Sequence, residues 1–127
     1  MKRILALVSC CFFLSASTRP ALHAQDYSQY VRPVSGCGHY GYDGNNALII
    51  SNTCNIDITA AFTSAGEIWG SKNLGPGETQ YTGWGHRDVD RSGGSVDVFS
   101  CPGNSTPEQL DGTPIMGHYR GEYRCHR

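Results

Sequence analysis

The stretch Ile56-Asp57-Ile58-Thr59-Ala60-Ala61-Phe62-Thr63 sets Ile56, Ile58, Ala60 and Phe62 against Asp57, Thr59, Ala61 and Thr63. A period of two puts alternate side chains on opposite faces of a strand, whereas a helix needs apolar residues three and four apart. The stretch therefore predicts a β-strand with one buried face. Ala47 to Ser51, just upstream, is a second short apolar run. Downstream, Ser64-Ala65-Gly66 predicts a hairpin turn into a strand over Glu67 to Ser71. Gly75-Pro76-Gly77 predicts another turn before a strand over Thr79 to Trp84, because Pro sets the first central dihedral and Gly supplies the positive one.

The rest of the chain has the same grain. After Gly93-Gly94, the run Ser95 to Cys101 alternates Val96 and Val98 with Asp97 and Phe99, which predicts a central strand apolar on both faces. Pro102-Gly103 ends it, and Asp111-Gly112 turns within a loop that carries Pro107 and Pro114. Tyr119, Gly121, Tyr123 and Cys125 then alternate with Arg120, Glu122, Arg124 and His126, aromatic side inward and charged side outward. Sixteen glycines break any longer helical period. The fold class is all-β: a small antiparallel sandwich or partly open barrel of about six or seven short strands.

At 127 residues the chain has room for one core. Lys2 and Arg3 precede an apolar run over Ile4 to Leu14, too short to span a bilayer, which needs about 20 apolar residues. The run suits a secretory signal over residues 1–24, cut after Ala24, with an earlier cut near Ser17 as the alternative. A lipid-modification reading of Leu7-Val8-Ser9-Cys10 leaves too little apolar length before the cysteine. The expected organisation is a signal peptide over 1–24, an extended lead-in over 25–35 without core contacts, and a single β domain over 36–127. No other stretch is long and apolar enough for a membrane span. The full chain carries ten basic and eleven acidic residues, a net charge of -1 that gives no general attraction to nucleic acid. Signal removal leaves the mature part mildly acidic.

It also leaves four cysteines, Cys37, Cys54, Cys101 and Cys125. An even count in a short exported chain predicts two disulfides in an oxidising compartment. Spacing allows three pairings; local staples, Cys37 with Cys54 and Cys101 with Cys125, are the favoured ones. No CxxC pair exists to form a zinc knuckle.

Three runs carry a resemblance: Ser51-Asn52-Thr53-Cys54, Leu74-Gly75-Pro76-Gly77-Glu78-Thr79 and Phe99-Ser100-Cys101-Pro102-Gly103. Across residues 36–125 the chain resembles small exported bacterial β-domain proteins of uncharacterised function. The resemblance implies a secreted or periplasmic β domain with two disulfides, and it implies no catalytic residue.

Motifs for chemistry are sparse. Asp88-Val89-Asp90-Arg91-Ser92-Gly93 opens like a calcium loop, with Asp88, Asp90 and Asp97 as weak candidate ligands. The twelfth position is Phe99 where a bidentate Glu is needed, so a solvated polar loop is the competing reading. His39, His86, His118 and His126 lack the spacing that sets two imidazoles on one face. No Gly-x-Ser-x-Gly elbow is present, and Glu67, Glu78, Glu108 and Glu122 form no recognisable pair. No cofactor is expected.

Aromatic residues are the remaining signal. Tyr40 and Tyr42 sit in a Gly-rich stretch, and Trp84 lies between Gly83 and Gly85, followed by His86-Arg87. Flanking glycines offer a Trp ring no cover, so Trp84 is expected to be exposed, with His86, Arg87, Tyr40 and Tyr42 as its binding neighbours; the opposing reading is that the ring folds back and caps one end of the core, as small β domains more often bury such rings. The sequence thus points to a non-catalytic domain that binds an unidentified protein or a cell-envelope carbohydrate. The alternative is a small secreted hydrolase or a hydrolase inhibitor.

Overall fold

The computed structural model describes residues 29–64, 68–117 and 119–127. The expected signal segment, the start of the lead-in, the Ala65-Gly66 turn with Glu67, and His118 lie outside the described residues. In chain order the elements are β1 (Tyr30–Val31), β2 (Gly38–Tyr42), β3 (Ala47–Asn52), β4 (Ile58–Ser64), β5 (Ile68–Leu74), β6 (Thr79–Gly85), α1 (His86–Arg91), β7 (Asp97–Pro102), β8 (Thr106–Gln109) and β9 (Tyr123–His126). The nine strands make three antiparallel sheets, ordered β1-β9-β8, β2-β3-β6 and β5-β4-β7. The all-β expectation holds, with no closed barrel among the described residues.

The decisive stretch forms β4, yet its alternation means something other than core against solvent. All seven residues of Ile58–Ser64 are buried, and Ile56, expected inside, is 45% exposed ahead of the strand. Ile58, Ala60 and Phe62 enter the main core with Leu48, Ile50, Ile68, Leu74 and Val89. Ala61 points the other way, into a second cluster with Phe99 and Ile115, lined by Tyr119 and Tyr123. The small and hydroxylated residues of β4 therefore face a thinner core rather than water. Between its partners β4 is the central strand, with Phe62 opposite both Gly70 and Val98. Gly70 is required there: a Cβ at this position would stand 2.9 Å from Phe62 Cζ.

Other expectations are corrected by the same accounting. The run Ser95 to Cys101 was expected at the centre of a sheet, but β7 is an edge that pairs only with β4. Side chains and a loop satisfy its free edge. Ser100 N–H donates to the Tyr123 hydroxyl at 3.1 Å, and Ser100 O accepts from that hydroxyl at 2.9 Å and from Val34 N at 3.0 Å. The described part of the lead-in, residues 29–35, therefore does have core contacts. Val34 packs against the main cluster, and β1 pairs with β9 through Tyr30 opposite His126. The Pro107 loop holds β8, an outer strand beside β9, a position that tolerates proline.

Both disulfides join the cysteines expected, Cys37 with Cys54 (Cα–Cα 5.1 Å) and Cys101 with Cys125 (5.6 Å). Each staple contributes about 3 kcal/mol by restricting the unfolded chain. Between β3, β4 and β5 the joint is polar. The buried Asn52 amide donates to Ile56 O at 2.7 Å, Gly75 O at 2.9 Å and Leu74 O at 3.3 Å, while its Oδ1 accepts from Cys54 N at 2.9 Å. Every polar atom of that side chain is satisfied, as burial demands.

Candidate functional site

The site is built where β3 meets β6. Ala47 pairs with Gly85 but Ile49 pairs with Tyr81, so β6 carries extra residues in a bulge. Gly83 takes a φ of +95° within it, a conformation glycine enters without a Cβ penalty. Thr82 Oγ1 fixes the bulge, donating to Leu48 O at 2.9 Å and accepting from Trp84 N at 3.1 Å. The consequence for Trp84 reverses the expectation from its flanking glycines. The ring is partly buried and packs against the main core.

Past the bulge the chain becomes α1 instead of the expected loop. The Asp88 carboxylate accepts from Gly85 N at 2.8 Å and caps the start, where N–H groups lack helical partners. Val89 is 1% exposed and anchors the helix to the core. His86, Arg87, Asp90 and Arg91 are left exposed. His86 Nδ1 lies 3.1 Å from Asp90 Oδ2, one helical turn on.

Facing α1 is the turn between β2 and β3. Asp43 Oδ1 accepts from Asn45 N at 2.8 Å and Ala47 N at 2.9 Å, and Asn46 takes a φ of +61°. Asn tolerates that left-handed geometry better than most residues. Asn46 O accepts from His86 N at 2.8 Å, locking turn to helix. An open polar depression of about 620 Å³ results, lined by Asn45, Asn46, His86, Arg87, Asp90 and Arg91 among others.

His86 lines the depression and begins a row of ring contacts that leads away from it along β2. The Tyr42 and His86 rings meet edge to face at 4.5 Å, and Tyr40 and Tyr42 do so at 6.2 Å. Tyr40 is 44% exposed, while Tyr42 packs against the core. Burial raises the Tyr42 pKa, with Tyr40 and Asp90 adding to the effect. Four of the five binding candidates, Tyr40, Tyr42, His86 and Arg87, thus come together. Trp84 instead forms part of the foundation beneath them.

The calcium candidates disperse. Asp88 caps α1, Asp90 faces His86, and Asp97 lies 3.3 Å from Arg120. No group of three possible metal ligands assembles among the described residues. His39 reaches Gly36 O, while His126 and Arg124 approach the Glu108 carboxylate at 3.5 and 2.7 Å. Glu78 accepts from Gly75 N and Gln80, which hold its pKa below the usual range.

Sequence reasoning missed Asn45 and Asn46, although Asp43-Gly44-Asn45-Asn46 is a turn signature that marks them as surface residues. It also missed Trp69, which is 47% exposed on β5. Compared with known proteins, the chain matches no family, and no curated protein or solved structure is significantly similar to it.

Proposed function

We propose that this chain is an exported binding domain that holds its ligand at the Tyr40–Tyr42–His86 row. The observation that carries the reading is the row of ring contacts from Tyr40 through Tyr42 to His86, which lines a polar depression whose turn and helix are joined by the His86 N–H to Asn46 O bond. Rigid walls lower the ordering cost of binding, and exposed rings supply contact area with few rotors to freeze. The carboxylates of α1 are committed to a cap and to an imidazole, which favours a recognition surface over a hydrolytic centre.

Export is supported by the basic, short apolar N-terminal run and by two disulfides, which persist in oxidising compartments. No helix among the described residues is long and apolar enough to cross a membrane. Two measurements test the proposal. N-terminal sequencing of chain recovered outside the cytoplasm should begin near Gln25. Arrays of glycans and of extracellular proteins, probed with wild type and with Tyr40→Ala and His86→Ala, should give at least one signal that both substitutions weaken. Signals insensitive to both would reject the row.

A further inference from the structure

Three other features fall short of a site. The slot beside Trp69, about 170 Å³ and lined by Pro107, Pro114 and Ile115, is apolar, with nothing to say what would fill it. The Glu108–Arg124–His126 group is closed on itself, with Arg124 stacked 4.3 Å over the Tyr30 ring. The buried Ser100 hydroxyl lacks a partner but opens into no described cavity. The depression beside His86 carries more.

From the chemistry of its lining, we propose that the depression binds an uncharged carbohydrate chain. The inference rests on the binding reading above and adds the class of ligand. The first argument is charge. Arg87 and Arg91 are matched by Asp88 and Asp90 around the same depression, so the field there favours neither anion nor cation. A sulfated or phosphorylated ligand would gain from the arginines and lose to the carboxylates. A neutral polar ligand loses nothing.

The second argument is the geometry of the hydrogen-bonding groups. Asn45 and Asn46 offer amides with donor and acceptor side by side, and Arg87 a planar fork of donors. Paired groups of this kind match adjacent hydroxyls on one sugar ring, each of which donates and accepts. The amide side chains are exposed and have no hydrogen-bond partner among the described residues. Their polar atoms can exchange water for hydroxyls without breaking an internal bond.

The third argument is the ring. A pyranose is polar at its edge and carries C–H groups across its face, and those faces rest on aromatic surfaces. Tyr40, with almost half its surface open, provides such a face at the end of the row that runs through Tyr42 to His86 in the lining. The depression is open rather than enclosed, which suits a chain lying across it. A protein partner would want a desolvated apolar centre, and the centre here is Asn, Arg and Asp.

The test is titration of the processed, oxidised protein with three soluble probes: cellohexaose, an N-acetylglucosamine hexamer and a heparin hexasaccharide. Amide shifts are followed by NMR. At least one uncharged hexamer should bind saturably, with shifts centred on residues 40–46 and 85–91 and affinity unchanged by high salt, because no ion pairs are screened. Tyr40→Ala and Arg87→Ala should each weaken it about tenfold, whereas Trp69→Ala, on a separate strand, should not. Thermal melts of each variant establish that it folds. Failure of both uncharged hexamers to bind, or binding of heparin alone with loss at high salt, overturns the carbohydrate assignment. If the hexamers fail while an array protein still loses binding in Tyr40→Ala and His86→Ala, the binding reading survives and only the ligand class falls. If no ligand of either kind depends on these residues, both fall together.

Discussion

The molecule holds two tryptophans in opposite situations: Trp84 in the corner between β6 and α1, and Trp69 in the regular strand β5. Trp84 is flanked by glycines that give it no local cover, yet it packs into the main core. Trp69 sits between Ile68 and Gly70 and is 47% exposed. Strand register explains the second case. Ile68 faces the core, so its neighbour faces out. A bulge explains the first, because the extra residues around Gly83 re-aim the next side chain. Local cover in the sequence is therefore a poor guide to burial where the backbone changes direction, and glycine is the residue that lets it change.

The largest expected effect separates the two rings directly. Trp84→Ala should cost about 3 kcal/mol of stability in urea unfolding of the oxidised protein, and Trp69→Ala less than about 1. Acrylamide should quench Trp69 emission far more than Trp84 emission in the corresponding Trp→Phe variants. Equal costs and equal quenching would dissolve the contrast. Next comes β5 itself, where Gly70→Ala sets a methyl against the Phe62 ring. A loss of about 2 kcal/mol is expected, partly restored by Phe62→Leu in the same chain. Additive effects in that double variant would show that the close approach is unimportant.

At the corner, Asp88→Ala removes the cap on Gly85 N and should cost about 1 kcal/mol by thermal melting, whereas Asp88→Asn should retain part of it. The smallest effect is a pH dependence. Tyr42 has its pKa raised above the ordinary 10.0 in the folded protein. Above that value the unfolded chain loses this proton first, so stability present below pH 10 declines as pH rises through the folded pKa. Tyr42→Phe should reduce the slope of stability against pH in this alkaline range while leaving neutral stability nearly unchanged. An unchanged slope would place Tyr42 in water.

These contrasts mark where the sequence was readable. Period-two alternation and turn residues located β4, β5 and β6 to within a few positions, because strand pairing uses the same local geometry that the pattern encodes. The even cysteine count pointed to two disulfides, and the preference for local staples, not the spacing, picked the pairing that forms. Layering was not visible: Thr59, Ala61 and Thr63 look solvent-facing only until a second cluster, assembled from Phe99 and Ile115, covers that side. The helix was hidden because its six residues hold one apolar side chain, Val89, too few to show a period. Tyr40, Tyr42, His86 and Arg87 were found as residue types suited to binding. The amides of Asn45 and Asn46 join them only because Asn46 O accepts from His86 N, a contact across 40 positions that no local pattern announces.

The pairing of β1 with β9 has a consequence for where the fold opens first. Gln29 and His126 lie 97 positions apart, and closing so long a loop costs more entropy than forming the adjacent hairpins, though the cost grows only logarithmically. Two residue pairs and the stacking of Arg124 on Tyr30 are a small reward for that closure. So few contacts hold the pairing more weakly than the sheet of β4, β5 and β7 is held. The pairing acts as a latch, first to open, and amide exchange at Val31 should outpace that at Phe62 by the full margin between a fraying end and the cooperative core.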